Sequence, residues 1–134
     1  MSSIRFLTLK QVLAIHKRMV MEFGGDASVR DPGLLESAVM MPCARFEGKY
    51  LHDGIPAMAA AYLFHICKNH AFVDGNKRTA LATTEVFLLL NGKKLTATNE
   101  ALEKLMIGVA EGSTSKRDVT TLLSKCTKPN TLSI

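Results

Sequence analysis

Nine consecutive residues, His70-Ala71-Phe72-Val73-Asp74-Gly75-Asn76-Lys77-Arg78, gather an imidazole, a carboxylate, an amide and two cations around one glycine. Each type has a use in moving a phosphoryl group. Gly75 tolerates positive φ, which lets the backbone N–H groups of Gly75, Asn76 and Lys77 point into one concavity. That concavity lies at the N-terminus of the helix that follows, where the macrodipole is positive and phosphates are favoured. Lys77 adds a mobile positive charge and Arg78 a forked one. Asp74 offers a hard oxygen ligand to a divalent cation that bridges phosphate oxygens. His70 supplies an imidazole, the side-chain type suited to accepting a proton at neutral pH. Blander readings stand beside these. Asp74 caps the helix near Asn76, or Lys77 and Arg78 merely begin it in solvent, although two cations there oppose the macrodipole by about 0.3–1 kcal/mol each.

Such a break needs rigid elements on both sides, and the flanking sequence supplies them. Upstream, Ala57 to Cys67 is apolar nearly all round, as in a helix buried at the centre of a bundle; downstream, Thr79 to Leu90 is a second apolar helix closed by Asn91-Gly92. Thr8 and Gln11 form a capping box for a helix over about 8–23, with Leu9, Val12, Leu13, His16, Met19, Val20 and Phe23 at helical spacing. Asp31-Pro32 starts a short helix bearing Leu34, Leu35, Ala38 and Val39, which Pro42 stops. Residues 43–54 lack a period and predict a loop or short hairpin. Thr98 or Asn99 begins a helix to about Ala110 with Leu102, Leu105, Met106 and Val109 inward; Ser115 and Asp118 cap a last one to about Lys125. From Pro129 a frayed tail is expected, and little chain is left for strands. The fold class is all-α: a single domain over 1–134, with a core over about 5–126.

With 134 residues, 47% of them hydrophobic and 22% charged, the chain has room for one core and none for a second nucleotide-binding domain. The net charge of +5 suits an anionic partner without naming it. Cys43, Cys67 and Cys126 are odd in number and form no CxxC pair, and no secretory segment opens the chain, so a reducing cytoplasm is expected. The apolar run Ile55 to Cys67 is far short of the ~20 residues that cross a bilayer, so no membrane partner is expected. No Walker-type GxxxxGK[ST], HExxH or GxSxG occurs.

The nine residues resemble the Fic/Doc family signature, H-x-F-x-[D/E]-G-N-x-R, with every fixed position filled. Lys77 stands where Fic enzymes carry a second glycine and Leu81 where they carry a closing arginine. Both departures resemble the Doc branch of death-on-curing toxins, as do Gly24-Gly25 and Asp31-Pro32-Gly33-Leu34. The likeness runs over about residues 5–126 and implies a compact bundle of six to seven helices. It implies a catalytic set of His70, Asp74, Lys77 and Arg78: His70 deprotonates a target hydroxyl, and Asp74 binds Mg²⁺. Gly75, Asn76, Lys77 and Arg78 hold the phosphates of ATP, while Phe72 packs inward and anchors the loop. Fic enzymes attack the α-phosphate and transfer AMP. Bulk at Lys77 and no guanidinium at Leu81 are consistent with a shifted or reversed nucleotide that presents its γ-phosphate. The resemblance thus implies a protein kinase acting on a Ser/Thr hydroxyl of a translation factor such as elongation factor Tu, with AMP transfer as the alternative. The self-inhibitory pattern [S/T]-x-x-x-E-[G/N] is not met, since Cys43 precedes Glu47-Gly48 and Ile107 precedes Glu111-Gly112. Restraint by a separate antitoxin, whose disordered segment folds into a groove, is implied instead.

Other groups receive plainer readings. Residues 43–53 resemble by position the Fic flap, which lays a target strand beside the site. Arg45, Lys49, Lys93 and Lys94 either widen the positive field around the site or form a solvated face. His65, Cys67 and His70 fit no zinc spacing, so His65 and Cys67 pack in their helix. His16 and His52 are ordinary surface or partly buried histidines. Met19, Met21, Met40, Met41 and Met58 fill the core. A rival class, an inactive basic helical module for nucleic acid or a partner helix, lacks a helix-turn-helix pattern and has only two Tyr, six Phe and no Trp for stacking. A nucleic-acid partner is therefore not expected.

Overall fold

In the computed structural model, residues 3–130 are described. The capping signals do their work where the sequence places them. Thr8 and Gln11 bond reciprocally at the start of α1 (Leu9–Phe23), and the Asp31 carboxylate accepts from Leu34 N–H at the start of α2 (Pro32–Met40). A 3₁₀ turn over Met41–Cys43 leads into a two-residue-per-strand hairpin, β1 (Arg45–Phe46) against β2 (Lys49–Tyr50), matching the expected short hairpin. Then come α3 (Ile55–Asn69), α4 (Asn76–Leu90), β3 (Lys93–Leu95), α5 (Asn99–Glu111), α6 (Lys116–Lys125) and β4 (Thr127–Pro129). Thr98 caps α5, and Ser115 with Asp118 forms the capping box of α6. The mostly helical architecture matches the expected all-α bundle.

Helix α3 is the axle. Met58, Ala59, Ala60, Ala61, Tyr62, Leu63, Ile66 and Cys67 are all buried, and α2, α4, α5 and α6 pack round it. Three successive alanines let neighbouring backbones approach closely, and the larger Tyr62 and Phe87 fill the space between α3 and α4 with ring centroids 5.0 Å apart. The Tyr62 hydroxyl accepts from Leu7 N–H at 2.8 Å, and burial pushes its pKa up to about 12.

Four expectations need correcting. Helix α4 starts at Asn76, three residues before Thr79, so Lys77 and Arg78 lie in its first turn. Residues 127–130 are not frayed: β4 pairs antiparallel with β3 from Lys93↔Pro129 to Leu95↔Thr127, and Asn130 N–H donates to Gly92 C=O. Residues 131–134 of the expected tail lie outside the described residues. Met21 and Met40 are 77% and 56% exposed and fill no core; on α1 only Val12, His16 and Val20 are buried, a stripe narrower than the apolar pattern. Finally, the hairpin and β3 lie away from the nine-residue break. Arg45, Lys49 and the 43–53 segment precede the N-terminus of α3, whereas His70 follows its C-terminus, and 15 residues of helix span roughly 22 Å. Lys93 and Lys94 are as far from Asn76 along α4. With screening over ~8 Å at physiological salt, none of these cations strengthens the field there. No helix among the described residues is long and apolar enough to cross a membrane.

A second polar cluster ties α3 to α6. Lys116 Nζ lies 3.0 Å from His52 Nε2 and 3.2 Å from His65 Nε2. An ammonium only donates, so both rings must accept and stay neutral. Burial, then the Lys116 charge, push His65 from 6.5 down to about 4; the same causes lower His52. The unfolded chain takes up a proton on His65 near pH 6.5, while the folded chain resists until about 4, so between those values the unfolded state binds more protons. Stability contributed by this cluster is complete above pH 6.5 and is lost as pH falls towards 4. Urea midpoints measured across that window should decline for the wild type and decline less steeply for His65→Gln; identical slopes for the two would refute the assignment.

Candidate active site

Six residues, 70–75, reverse the chain between α3 and α4. His70 takes the left-handed conformation (φ 50°, ψ 45°) that ends α3, and its carbonyl accepts from Arg30 Nε at 2.7 Å. A second left-handed residue, Gly75 at φ 82°, opens α4. Between them Phe72 is fully buried and Asn76, 6% exposed, reaches under the loop. Asn76 Oδ1 accepts from Phe72 N–H at 3.1 Å while its Nδ2 donates to Phe72 C=O at 2.9 Å. One amide thus closes the turn on both of its hydrogen-bonding edges. The expected inward anchor at Phe72 is where the structure puts it, and the Asn76 amide is turned towards it.

The loop is braced from the connection between α1 and α2, whose residues 28–30 carry no sequence signal of that role. Residues 28–31 run antiparallel to 71–73: Val29 bridges Phe72, Ala71 C=O accepts from Arg30 and Asp31 N–H, and Val73 N–H donates to Ser28 C=O. Gly25 approaches so closely that a Cβ on it would fall 2.9 Å from Asp74 Cβ. Here, and not at 43–53, an extended segment lies beside the candidate site. Asp74 Oδ2 accepts from Asp26 N–H at 2.8 Å. Gly75 is the cap of α4 with no side-chain cap bond, so the capping reading of Asp74 is excluded.

Outside the loop lies a groove of about 910 Å³. Lys68, His70, Asp74, Gly75, Lys77 and Arg78 line its polar end, and Leu81, Leu102, Met106 and Ile107 carry it on between α4 and α5 towards Glu85 and Asn99. His70 is exposed; its Nδ1 lies 3.4 Å from Asn76 Nδ2, beyond the usual ~3.2 Å limit, so the ring is only loosely steered. The Arg78 guanidinium stacks on the Phe23 ring at 4.2 Å from its centroid, a cation–π contact that holds it at the rim. Partial enclosure of the Glu85 carboxyl raises its pKa, and the buried Cys67 thiol is raised likewise. Among the described residues no three His, Cys, Asp or Glu side chains form a metal cage. Asp74 presents one carboxylate at the groove, which fits a hard cation that keeps waters and substrate phosphates as its other ligands.

Residues 6–88, more than half of the chain, match the Fic/DOC family. The chain belongs to that family, and its relatives place it on the Doc branch. Over 75 residues it is 48% identical to Toxin Doc of Mycolicibacterium smegmatis, covering 56% of this chain and 58% of that one. Over 122 residues it is 30% identical to Protein kinase doc of Escherichia phage P1, covering 91% of this chain and 95% of the relative. The Fic/Doc signature therefore occupies the reversal between α3 and α4, with His70, Asp74, Gly75, Asn76, Lys77 and Arg78 lining the groove and Phe72 behind it. Sequence reading missed Lys68 and Phe23 on the groove wall, Arg30 on the His70 carbonyl, and His16. Helical period could have placed Lys68 one turn from the loop; the other three carry no local signal.

Because Asn76 satisfies two buried backbone groups, Asn76→Ala should cost more than one ordinary hydrogen bond, about 2–6 kcal/mol in urea unfolding, at ~1–3 kcal/mol for each group left unpaired. Amides 71–74 should exchange faster with solvent. A cost under about 1 kcal/mol would mean that the amide does not close the turn.

Proposed function

We propose that this chain is the toxin of a toxin–antitoxin pair and that it transfers the γ-phosphate of ATP to a Ser/Thr hydroxyl of a protein. The observation that carries the reading is the continuity of the groove: the cationic N-terminus of α4 opens into an apolar cleft that runs on along the helix towards Glu85. A nucleotide with its triphosphate tail on the N–H groups of Gly75, Asn76 and Lys77 has room for its base and ribose between Leu81 and Met106. That orientation leaves the terminal phosphate nearest His70.

In this scheme His70 accepts the proton of the target hydroxyl as its oxygen bonds to the γ-phosphorus. The bond from that phosphorus to the β–γ bridging oxygen breaks, and ADP leaves with the electron pair. Lys77 and Arg78 stabilise the charge that shifts onto the leaving oxygens. Asp74 supplies the carboxylate for Mg²⁺, whose charge would offset that of the phosphates. Asn76 works from behind, keeping the loop closed.

The name of the phage relative and the side chain of Lys77, where AMP-transferring members of the family carry glycine, support a kinase. A translation factor such as elongation factor Tu is the first acceptor to try. An antitoxin segment that folds on binding is the proposed restraint, and the apolar rim of the groove, with Phe23, Val73 and Ile107 at 55%, 46% and 43% exposure, is the surface offered to it.

Incubation with elongation factor Tu and ATP labelled at either phosphate separates the two chemistries. Label should pass to the acceptor from γ-labelled ATP and not for His70→Ala; label from α-labelled ATP alone would establish AMP transfer in its place. Expression of the wild type without an antitoxin should arrest growth, and equal arrest by His70→Ala would refute the enzymatic reading.

A further inference from the structure

His16 lies on α1, 58 positions before Asp74, yet the two residues meet. Its ring is 2% exposed and lies flat on Phe72, with centroids 3.6 Å apart and planes 8° from parallel. His16 Nε2 is 2.8 Å from the Asp74 carbonyl oxygen; a carbonyl only accepts, so Nε2 carries the hydrogen. The same ring fills the space behind Gly75, where a Cβ would meet His16 Cδ2 at 3.5 Å and Nε2 at 3.6 Å.

The consequence follows from peptide planarity. The C=O of Asp74 and the N–H of Gly75 belong to one rigid unit and point in opposite directions. Turning the carbonyl inward to His16 turns the N–H outward to the groove. We infer that His16 is a positioning residue for the phosphate site: by holding the Asp74 carbonyl inward, it aims the Gly75 N–H at the nucleotide. Asp74 is thereby fixed at both ends, its carbonyl by His16 and its Oδ2 by Asp26 N–H. The peptide has another choice, because the left-handed region open to glycine at Gly75 lets the 74–75 unit flip. Phe72 holds the ring flat, but only the Nε2 hydrogen selects which face of the peptide it meets.

This inference rests on the proposed nucleotide site, so its test includes a measurement on the free protein. His16→Phe keeps an aromatic ring on Phe72 and removes the donor; His16→Gln keeps a donor and removes the ring. In the free wild type, the His16 Nε2–H resonance should be protected from exchange. The Gly75 amide shift should move in His16→Phe and return towards the wild-type value in His16→Gln. Calorimetry with Mg·ATP should then show binding weakened about tenfold or more for His16→Phe and at least partly restored for His16→Gln, since a part-buried acceptor has lost the hydrogen bond that His16 gives it. An exchange-labile Nε2–H, or a Gly75 amide indifferent to His16→Phe, overturns the inference; so does equal weakening by both variants, which would make the ring a packing element. Failure of the wild type to bind Mg·ATP would instead strike the proposed function, and the free-protein signals would still decide the role of His16.

Discussion

Two apolar helices must reverse direction within six residues at the centre of a small core, and every backbone group turned inward by that reversal needs a partner. The side chains that supply those partners determine the rest of the site. Asn76 takes both groups of Phe72, Arg30 takes the carbonyl of His70, the 28–31 segment takes Ala71 and Val73, and His16 takes Asp74. Gly75 brings no side-chain cap to α4, so the first N–H groups of that helix are left for the groove. A single requirement thus closes the loop on its inner side and leaves it open to an anion on its outer side.

The same bookkeeping explains why α1 and α2 surround a loop far from them in sequence. Neither helix is long, and α1 buries only the stripe Val12, His16 and Val20. That stripe packs against α4, and its middle residue is the one that touches Phe72 and Asp74. The connection between the two helices then runs as an extended strand along 71–73, with Gly25 fitted against Asp74. The N-terminal third of the chain serves as the back wall of the Fic/Doc loop, through His16, Gly25, Val29, Arg30 and Asp31.

Legibility in the sequence follows from the range of each interaction. Capping boxes join residues three apart, and so Thr8 with Gln11, Ser115 with Asp118, and the Asp31-Pro32 start could all be read directly. The buried character of α3 was equally plain, because apolar residues on every face leave no solvent side. The signature, nine adjacent residues, located the site. What escaped was non-local: β3 meets β4 across about thirty residues, Arg30 meets His70 across 40, and His16 meets Asp74 across 58. Nothing in a histidine at a helical core position distinguishes a packed ring from one that orients a peptide. Met21 misled for a related reason: a helix can carry more apolar positions than it has neighbours to cover them.

Charge adds the last constraint. Lys77 and Arg78 stand in the first turn of α4, where the macrodipole opposes a cation by about 0.3–1 kcal/mol each, and Lys68 faces the same groove from the last turn of α3. Stacking on Phe23 holds Arg78 in place but leaves its charge uncompensated. Three cations beside open N–H groups make a region whose electrostatic energy falls when an anion arrives. The Asp74 carboxylate meets only part of that demand, since its Oδ2 already accepts from Asp26 N–H. A ligand that carries several negative charges would satisfy both the backbone donors and the side chains at once, and a ligand that binds only the folded loop would stabilise the fold. Local instability at the start of α4 and the proposed affinity for an anion would then be one property of the Fic/Doc loop, whose inward backbone groups at Phe72 and Asp74 are already bonded, so that the instability falls on the groove face.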